Sequence, residues 1–235
     1  MTRLFIIGEG PTEEAFVKSV LAPVLRLSNI FAKPLLMETS RGHYGGGLNL
    51  ERTRRAVRNT LQQHGDAYVS TMFDLYALDR TFAGVTDSVG LAPSNRAARI
   101  GQLLHADIVA HVGCRPERFM PHIQPHEFES LLFSDIDKLC DTQPEWDKHR
   151  AVLLKVRADV TNPEWINDSP HTAPSKRLEM ILLPRYRKTT HGPASAVRIT
   201  LDKIREQCPH FRQWFERLLH IGAQPLAARL PESIS

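Results

Sequence analysis

The chain has 235 residues, of which 42% are apolar, enough for one large domain with a sizeable core. Its three cysteines, Cys114, Cys140 and Cys208, are far apart and odd in number. They exclude a disulfide framework or a CxxC site and point to a reducing compartment. No stretch approaches the roughly 20 apolar residues of a membrane helix, and the N-terminal apolar run is too short for a signal-peptide core. The expected setting is cytoplasmic, with no membrane partner. The formal charge of +4 is a mild basic excess, compatible with a nucleic-acid partner. The distribution says more: several acids sit beside glycines or at strand ends, while arginines crowd Glu51–Arg58.

Leu4–Ile7 is a continuous apolar run rich in β-formers and reads as a strand buried on both faces. Gly8-Glu9-Gly10 breaks it, and Pro11 suits the first position of a helix that continues past Ala15, Ser19 and Pro23. Phe31–Met37 is a second strand candidate, carrying Pro34. A glycine-rich loop, Gly42–Gly47, precedes a helix expected over Leu50–His64, with Arg52, Arg54, Arg55 and Arg58 largely outward. Ala67–Phe73 is another apolar strand, ending at Asp74. Strand, helix, strand, helix, strand predicts an α/β fold: a mostly parallel sheet flanked by helices and joined by right-handed crossovers. Asp79–Pro93 reads as loop, Ser94–Val109 as helix and Phe119–Ile123 as a short strand. Pro125-His126-Glu127 then leads into a short helix with Phe128, Leu131 and Leu132 on one face. Asn162–Pro174 is loop-like, Ser175–Leu183 and Ala194–Gln207 are helical, and Phe211, Trp214, Phe215, Leu218 and Leu219 stripe a last helix. With no repeat or linker, the simplest organisation is one domain over 1–235: a core over about 1–135 and a helical C-terminal portion over about 136–235.

In α/β sheets, sites form beyond the C-terminal ends of the strands. Two of the strongest strands end there in acid, at Glu9 and Asp74. Two carboxylates brought together repel, and one must protonate unless a cation sits between them. Mg²⁺ is the default cation for hard oxygen ligands. Glu13 reads equally as a ligand in the first helical turn or as a helix N-terminal cap. Glu127 and Glu129 would point about 200° apart on a helix, so one of them, Glu127 by position, faces the site. The histidines lack H-E-x-x-H spacing, which disfavours a zinc enzyme. The glycine-rich loop lacks the Walker lysine, which disfavours a P-loop NTPase. It reads as a flexible loop first and as a substrate contact through Arg41, His43 or Tyr44 second. Lys176, Arg177, Arg185, Arg187 and Lys188 form a basic cluster, either a solvated face or a set of phosphate contacts.

Gly8-Glu9-Gly10-Pro11-Thr12-Glu13 resembles the first Toprim motif, and Thr71-Met72-Phe73-Asp74-Leu75-Tyr76 resembles the strand that carries the Toprim D-x-D. With Pro121–Phe133, Pro174–Leu178 and Cys208–Phe211, these blocks are similar to a bacterial Toprim-like family that includes the nuclease effector of the PARIS anti-phage system. The resemblance spans nearly the whole chain. It implies a Toprim-like, Rossmann-like fold and a Mg²⁺- or Mn²⁺-dependent nuclease, often paired with an ABC-type ATPase. The PARIS effector acts on tRNA, and the related overcoming-lysogenization-defect nucleases act on DNA. The resemblance matches Glu9, Glu13 and Asp74 to the family's acids; on this reading these three hold metal and Glu127 or Glu129 completes the shell or orients water. Lys176 or Lys188 would stabilise transition-state charge, while Arg41, His43, Arg177 and Arg187 would contact substrate. A homo-oligomer is compatible with this picture. The second acid of D-x-D falls at Tyr76, which cannot ligate as a carboxylate. The site then leans on Glu127, Glu129 or Asp79, or holds a single metal. Tyr76 also favours a rival: a non-catalytic Toprim-fold subunit that binds or regulates an ATPase.

Overall fold

The structure is a computed structural model and describes residues 1–40, 43–44, 48–167 and 172–223. Its centre is β1 (Thr2–Gly8), whose side chains alternate between two cores. Leu4 and Ile6 point to one face of the sheet, Phe5 and Ile7 to the other. From β1 the chain enters α1 (Pro11–Phe16), passes through a π-helical stretch at Val17–Leu21, and finishes as α2 (Ala22–Leu27). Pro23 has no N–H to give the carbonyl one turn back, and the widened turn just before it absorbs that loss. Ala22 accordingly donates to the Val17 carbonyl, five residues earlier.

β2 (Ile30–Leu36) lies parallel to β1. It is an edge strand, which is where Pro34 is tolerated. A small antiparallel ladder, β3 (Glu38–Ser40) with β4 (His43–Tyr44), precedes α3 (Leu50–Gln63). Asn49 caps α3 by accepting the Glu51 and Arg52 N–H groups. β5 (Tyr68–Asp74) then pairs in parallel with the other side of β1, placing Gly8 beside Met72. α4 (Pro93–Val112) ends on Gly113 at φ +70°, a left-handed cap. The sheet order is β2-β1-β5-β6, with every pairing parallel and helices on both faces.

The strand expected over Phe119–Ile123 is two strands, β6 (Phe119–Met120) and β7 (Ile123–Gln124), both paired with β5. Pro121 cannot donate to a ladder, so pairing breaks there. The Thr71 hydroxyl closes the gap, accepting from the His122 N–H and donating to its carbonyl, each at 3.0 Å. The short helix expected after Glu127 is a 3₁₀ helix, Phe128–Ser134, with all seven residues buried.

α5 (Ile136–Cys140), α6 (Arg150–Ala158) and α7 (Pro174–Ile181) follow. The next helix, expected from Ala194, already begins at Lys188: α8 (Lys188–Ile199) carries Pro193 inside it. Thr200, at φ +75°, separates α8 from α9 (Leu201–Gln207). α10 (Pro209–Ala223) completes the described chain. Residues of α8, α9 and α10 share one core with Leu4, Ile6, Tyr68 and Met72, while α3 and α4 cover the opposite face. Among the described residues, no helix is long and apolar enough to cross a membrane.

Trp214 ties α10 to the sheet. Its indole N–H donates to Ser70 Oγ at 2.9 Å, and its ring stacks on His122 at 4.5 Å between centroids. Trp214→Ala leaves a cavity and an orphaned hydroxyl partner, and is expected to cost about 3–5 kcal/mol in denaturant unfolding. Trp214→Phe keeps most of the volume and should cost clearly less. Equal losses for the two would refute this account.

Candidate functional site

Parallel pairing of β1 with β5 sets their C-terminal ends side by side. Glu9 leaves β1 there, and one of its carboxylate oxygens accepts the backbone N–H of Asp74. Asp74 ends β5, and its Oδ1 accepts the Phe128 N–H at 2.8 Å. The chain then folds back tightly: a Cβ on Gly8 would meet the Glu13 Cβ at 2.8 Å, so only glycine permits this approach. Gly10 donates its N–H to Glu13 Oε2 at 2.9 Å, the backbone half of a capping box, since glycine has no side chain to return the bond.

From the other side, Lys188 opens α8 and lies between two acids. Its Nζ is 3.4 Å from Glu127 Oε1 and 3.5 Å from Glu129 Oε2. Glu127 Oε2 accepts the Ser175 N–H at the start of α7 at 3.0 Å. The Tyr186 hydroxyl donates to Glu129 Oε1 at 3.4 Å. Both glutamates therefore reach the site, against the expectation of one. Glu127 is not on a helix; it is the extended residue before the 3₁₀ turn, at φ −145° and ψ 158°, so the helical period does not apply. A family model, that of a domain of unknown function named DUF4276, matches residues 8–219, which span every residue of this cluster.

The chain belongs to the DUF4276 family. Comparison with curated proteins and with solved structures returned no match.

In this DUF4276 protein, charge at the cluster is only partly balanced. Burial pushes the Glu9 carboxyl up to about 8, and repulsion from Glu13 adds to it; the Asp74 N–H and Lys188 offset only part. Burial also raises Glu13, and raises Asp74 well above the usual carboxylate range with help from Glu9 and Glu13. Glu129 is pushed up to about 7 by burial, with Lys188 opposing. Partial burial works against the Lys188 ammonium, yet Glu129, Glu127 and Asp74 outweigh it and hold its pKa above the ordinary value. Protons thus carry the balance that one ammonium leaves open.

Among the described residues, no three His, Cys, Asp or Glu side chains stand ready to hold a metal ion. The donor set is nevertheless of the right chemistry. All five carboxylates offer hard oxygens, and the hydrogen bonds of Glu9 and Asp74 engage one oxygen each.

The other expected site residues lie elsewhere. Lys176 pairs with Glu179 at 3.3 Å, as does Arg185 at 2.7 Å, so Lys176 is spent on a surface pair rather than on the cluster. Arg177 donates to the Thr172 carbonyl at 2.8 Å. Arg187 is exposed, and its backbone N–H donates to His191 Nδ1 at 3.0 Å. Arg41 and the side chains of His43 and Tyr44 lie outside the described residues. Asp79 turns to Thr81 in the following loop and to Asn49, the cap of α3. Tyr76 is 42% exposed, with its hydroxyl 3.2 Å from His126 Nδ1. Tyr186 is the participant the sequence reading passed over; its place beside Arg187-Lys188 was the available signal.

Stability should depend on pH through these acids. A carboxyl raised from 4.5 to about 8 keeps a proton in the folded protein that the unfolded chain releases, so stability falls as pH rises through that window. Burial lowers His122 and His210 below 6.5, which adds the opposite slope, but only below about pH 6.5. The melting temperature is therefore expected to drop between about pH 6.5 and pH 8, and Glu9→Gln to flatten that drop. A variant that melts with an unchanged pH slope would show that Glu9 is not the group responsible.

Proposed function

We propose that this DUF4276 protein is a metal-dependent phosphodiesterase acting on nucleic acid. The observation that carries the reading is the convergence of Glu9 and Asp74 at adjacent parallel strand ends, ringed by Glu13, Glu127 and Glu129, with Lys188 as the ammonium they share. Carboxylates held this close favour a divalent cation over their own protonation once one is supplied. The Toprim resemblance of the Glu9 and Asp74 segments supports the same chemistry.

Glu9, Glu13 and Asp74 would be the residues that take Mg²⁺ or Mn²⁺. When bound, the ion would polarise the phosphate and lower the pKa of an attacking water. Lys188 places positive charge beside the cluster, where negative charge develops on the phosphoryl oxygens. Glu129, which burial pushes up, would be placed to move a proton at the site, and the Tyr186 hydroxyl donates to it. By the same resemblance the substrate is RNA, tRNA included, or DNA. The setting would be a cytoplasmic anti-phage effector working beside an ABC-type ATPase.

A second reading has its own observation. Each of the five carboxylates already accepts a hydrogen bond or an ion pair within the chain, and Tyr76 stands where a further acid would be expected. This supports a non-catalytic subunit that binds or regulates an ATPase. Incubation of the purified protein with RNA and DNA separates the two. Cleavage is expected with Mg²⁺ or Mn²⁺ and not with chelator, and Glu9→Ala or Asp74→Asn should reduce it at least about 100-fold while the fold persists. Cleavage that survives both chelator and Glu9→Ala would sink the catalytic reading. Absence of cleavage even with a co-purifying ATPase would select the second.

A further inference from the structure

We infer that α3 and the edge strand β2 form a track for the phosphodiester backbone of a nucleic-acid strand, read by Arg52, Arg55 and Arg58. This rests on the proposed nucleic-acid chemistry and adds where the polymer lies. α3 buries Thr53, Val57, Thr60 and Leu61 against the sheet and turns its arginines outward. Charge on this helix is unevenly spent. Arg54 takes both Glu51 on its own helix and Asp107 on α4. Arg58 donates to the His111 carbonyl at 3.2 Å, which leaves its charge unmatched. Among the described residues, Arg52 and Arg55 have no ion pair.

The surface is also shaped. A groove of about 640 Å³ runs between α3 and the edge of the sheet; Arg52, Arg55, Asn59 and Gln63 line one side, Glu14 and Pro34 the other, and residues 35–37 with Ala56 give it an apolar floor. A second recess of about 470 Å³ continues over the helix; it shares Arg52 and Arg55 and adds Arg58 and Glu51, the latter paired with Arg54. Glu14 follows Glu13 on α1, so that one helix supplies both a wall of the groove and an acid of the cluster, on different faces. Glu14 pairs with Lys18, so the acid at this end is already matched. Among the described residues, no aromatic ring lines the groove; its guanidinium groups suit phosphates, and its amides suit sugars. Recognition is therefore of backbone rather than of sequence.

The test is binding in the presence of chelator, which uncouples it from cleavage. Labelled single-stranded RNA and DNA of about 20 nucleotides are titrated with the full chain by fluorescence anisotropy across about 50–200 mM salt. Arg52→Glu/Arg55→Glu is expected to weaken binding about 10-fold or more and to lower the slope of log K against log salt by about 1.4, for two phosphate contacts. Arg52→Gln/Arg55→Gln should lie between it and the wild type, with melting temperatures unchanged for both. A loss on either polymer supports the track, and the polymer affected identifies the backbone. Unchanged affinity and slope in both variants overturn it, as does a wild-type chain that binds neither oligonucleotide at about 50 mM salt. Arginine-dependent binding without metal-dependent cleavage, even with a co-purifying ATPase, would support the track while ending the catalytic reading.

Discussion

Five carboxylates crowd the ends of two parallel strands, and the elements around them are arranged so that this crowding can be borne. At the N-terminus of α1 the Gly10 N–H donates to Glu13, whose carboxylate also meets the positive end of the helix dipole. α8 brings Lys188, a cation at a helix N-terminus where the dipole disfavours one; Glu127 and Glu129 reverse that preference. Backbone N–H groups from Asp74, Phe128 and Ser175 each take one carboxylate oxygen. α8 approaches closely because Gly192 has no side chain: a Cβ there would meet the Tyr186 hydroxyl at 2.9 Å and Phe128 and Thr12 at 3.4 Å. The position of Lys188 thus depends on a glycine one turn further along its helix.

Much of the frame was legible in the sequence because it rests on local patterns. The apolar runs at Leu4–Ile7 and Ala67–Phe73 dictate buried parallel strands, and the acids that end them fall at one edge for that reason alone. What was not legible depends on contacts between distant segments. Periodicity assigned Glu127 and Glu129 to opposite helix faces, but Asp74 pins the Phe128 N–H and leaves Glu127 extended. The start of α8 was masked by Pro193, since helix signals are read from proline onwards. Glu164 is another case. In a segment that reads as loop, it is fully buried and accepts the His210 and Phe211 N–H groups, each at 2.9 Å, capping α10 from 46 residues away. No local pattern announces a cap of that kind.

The C-terminal helices complete the fold as much as they extend it. Trp214 on α10 reaches Ser70 in the middle of β5, and Ser70 in turn donates to the Met120 carbonyl of β6. One face of the sheet is closed by helices that come last in the chain, so the residues around Glu9 and Asp74 cannot be fully supported until those helices dock. The acidic cluster has the same long reach, joining segments from Glu9 to Lys188.

The bond that fixes Glu9 has a consequence for how the cluster can vary. Glu9 is held by the peptide N–H of residue 74, which every residue type except proline supplies. The side chain at position 74 can therefore change while Glu9 keeps its anchor. Charge count and scaffold are decoupled here only for a side chain that still offers the Phe128 N–H an oxygen: asparagine at 74 would remove one acid, and so change the ligand preference, without rebuilding the strand ends.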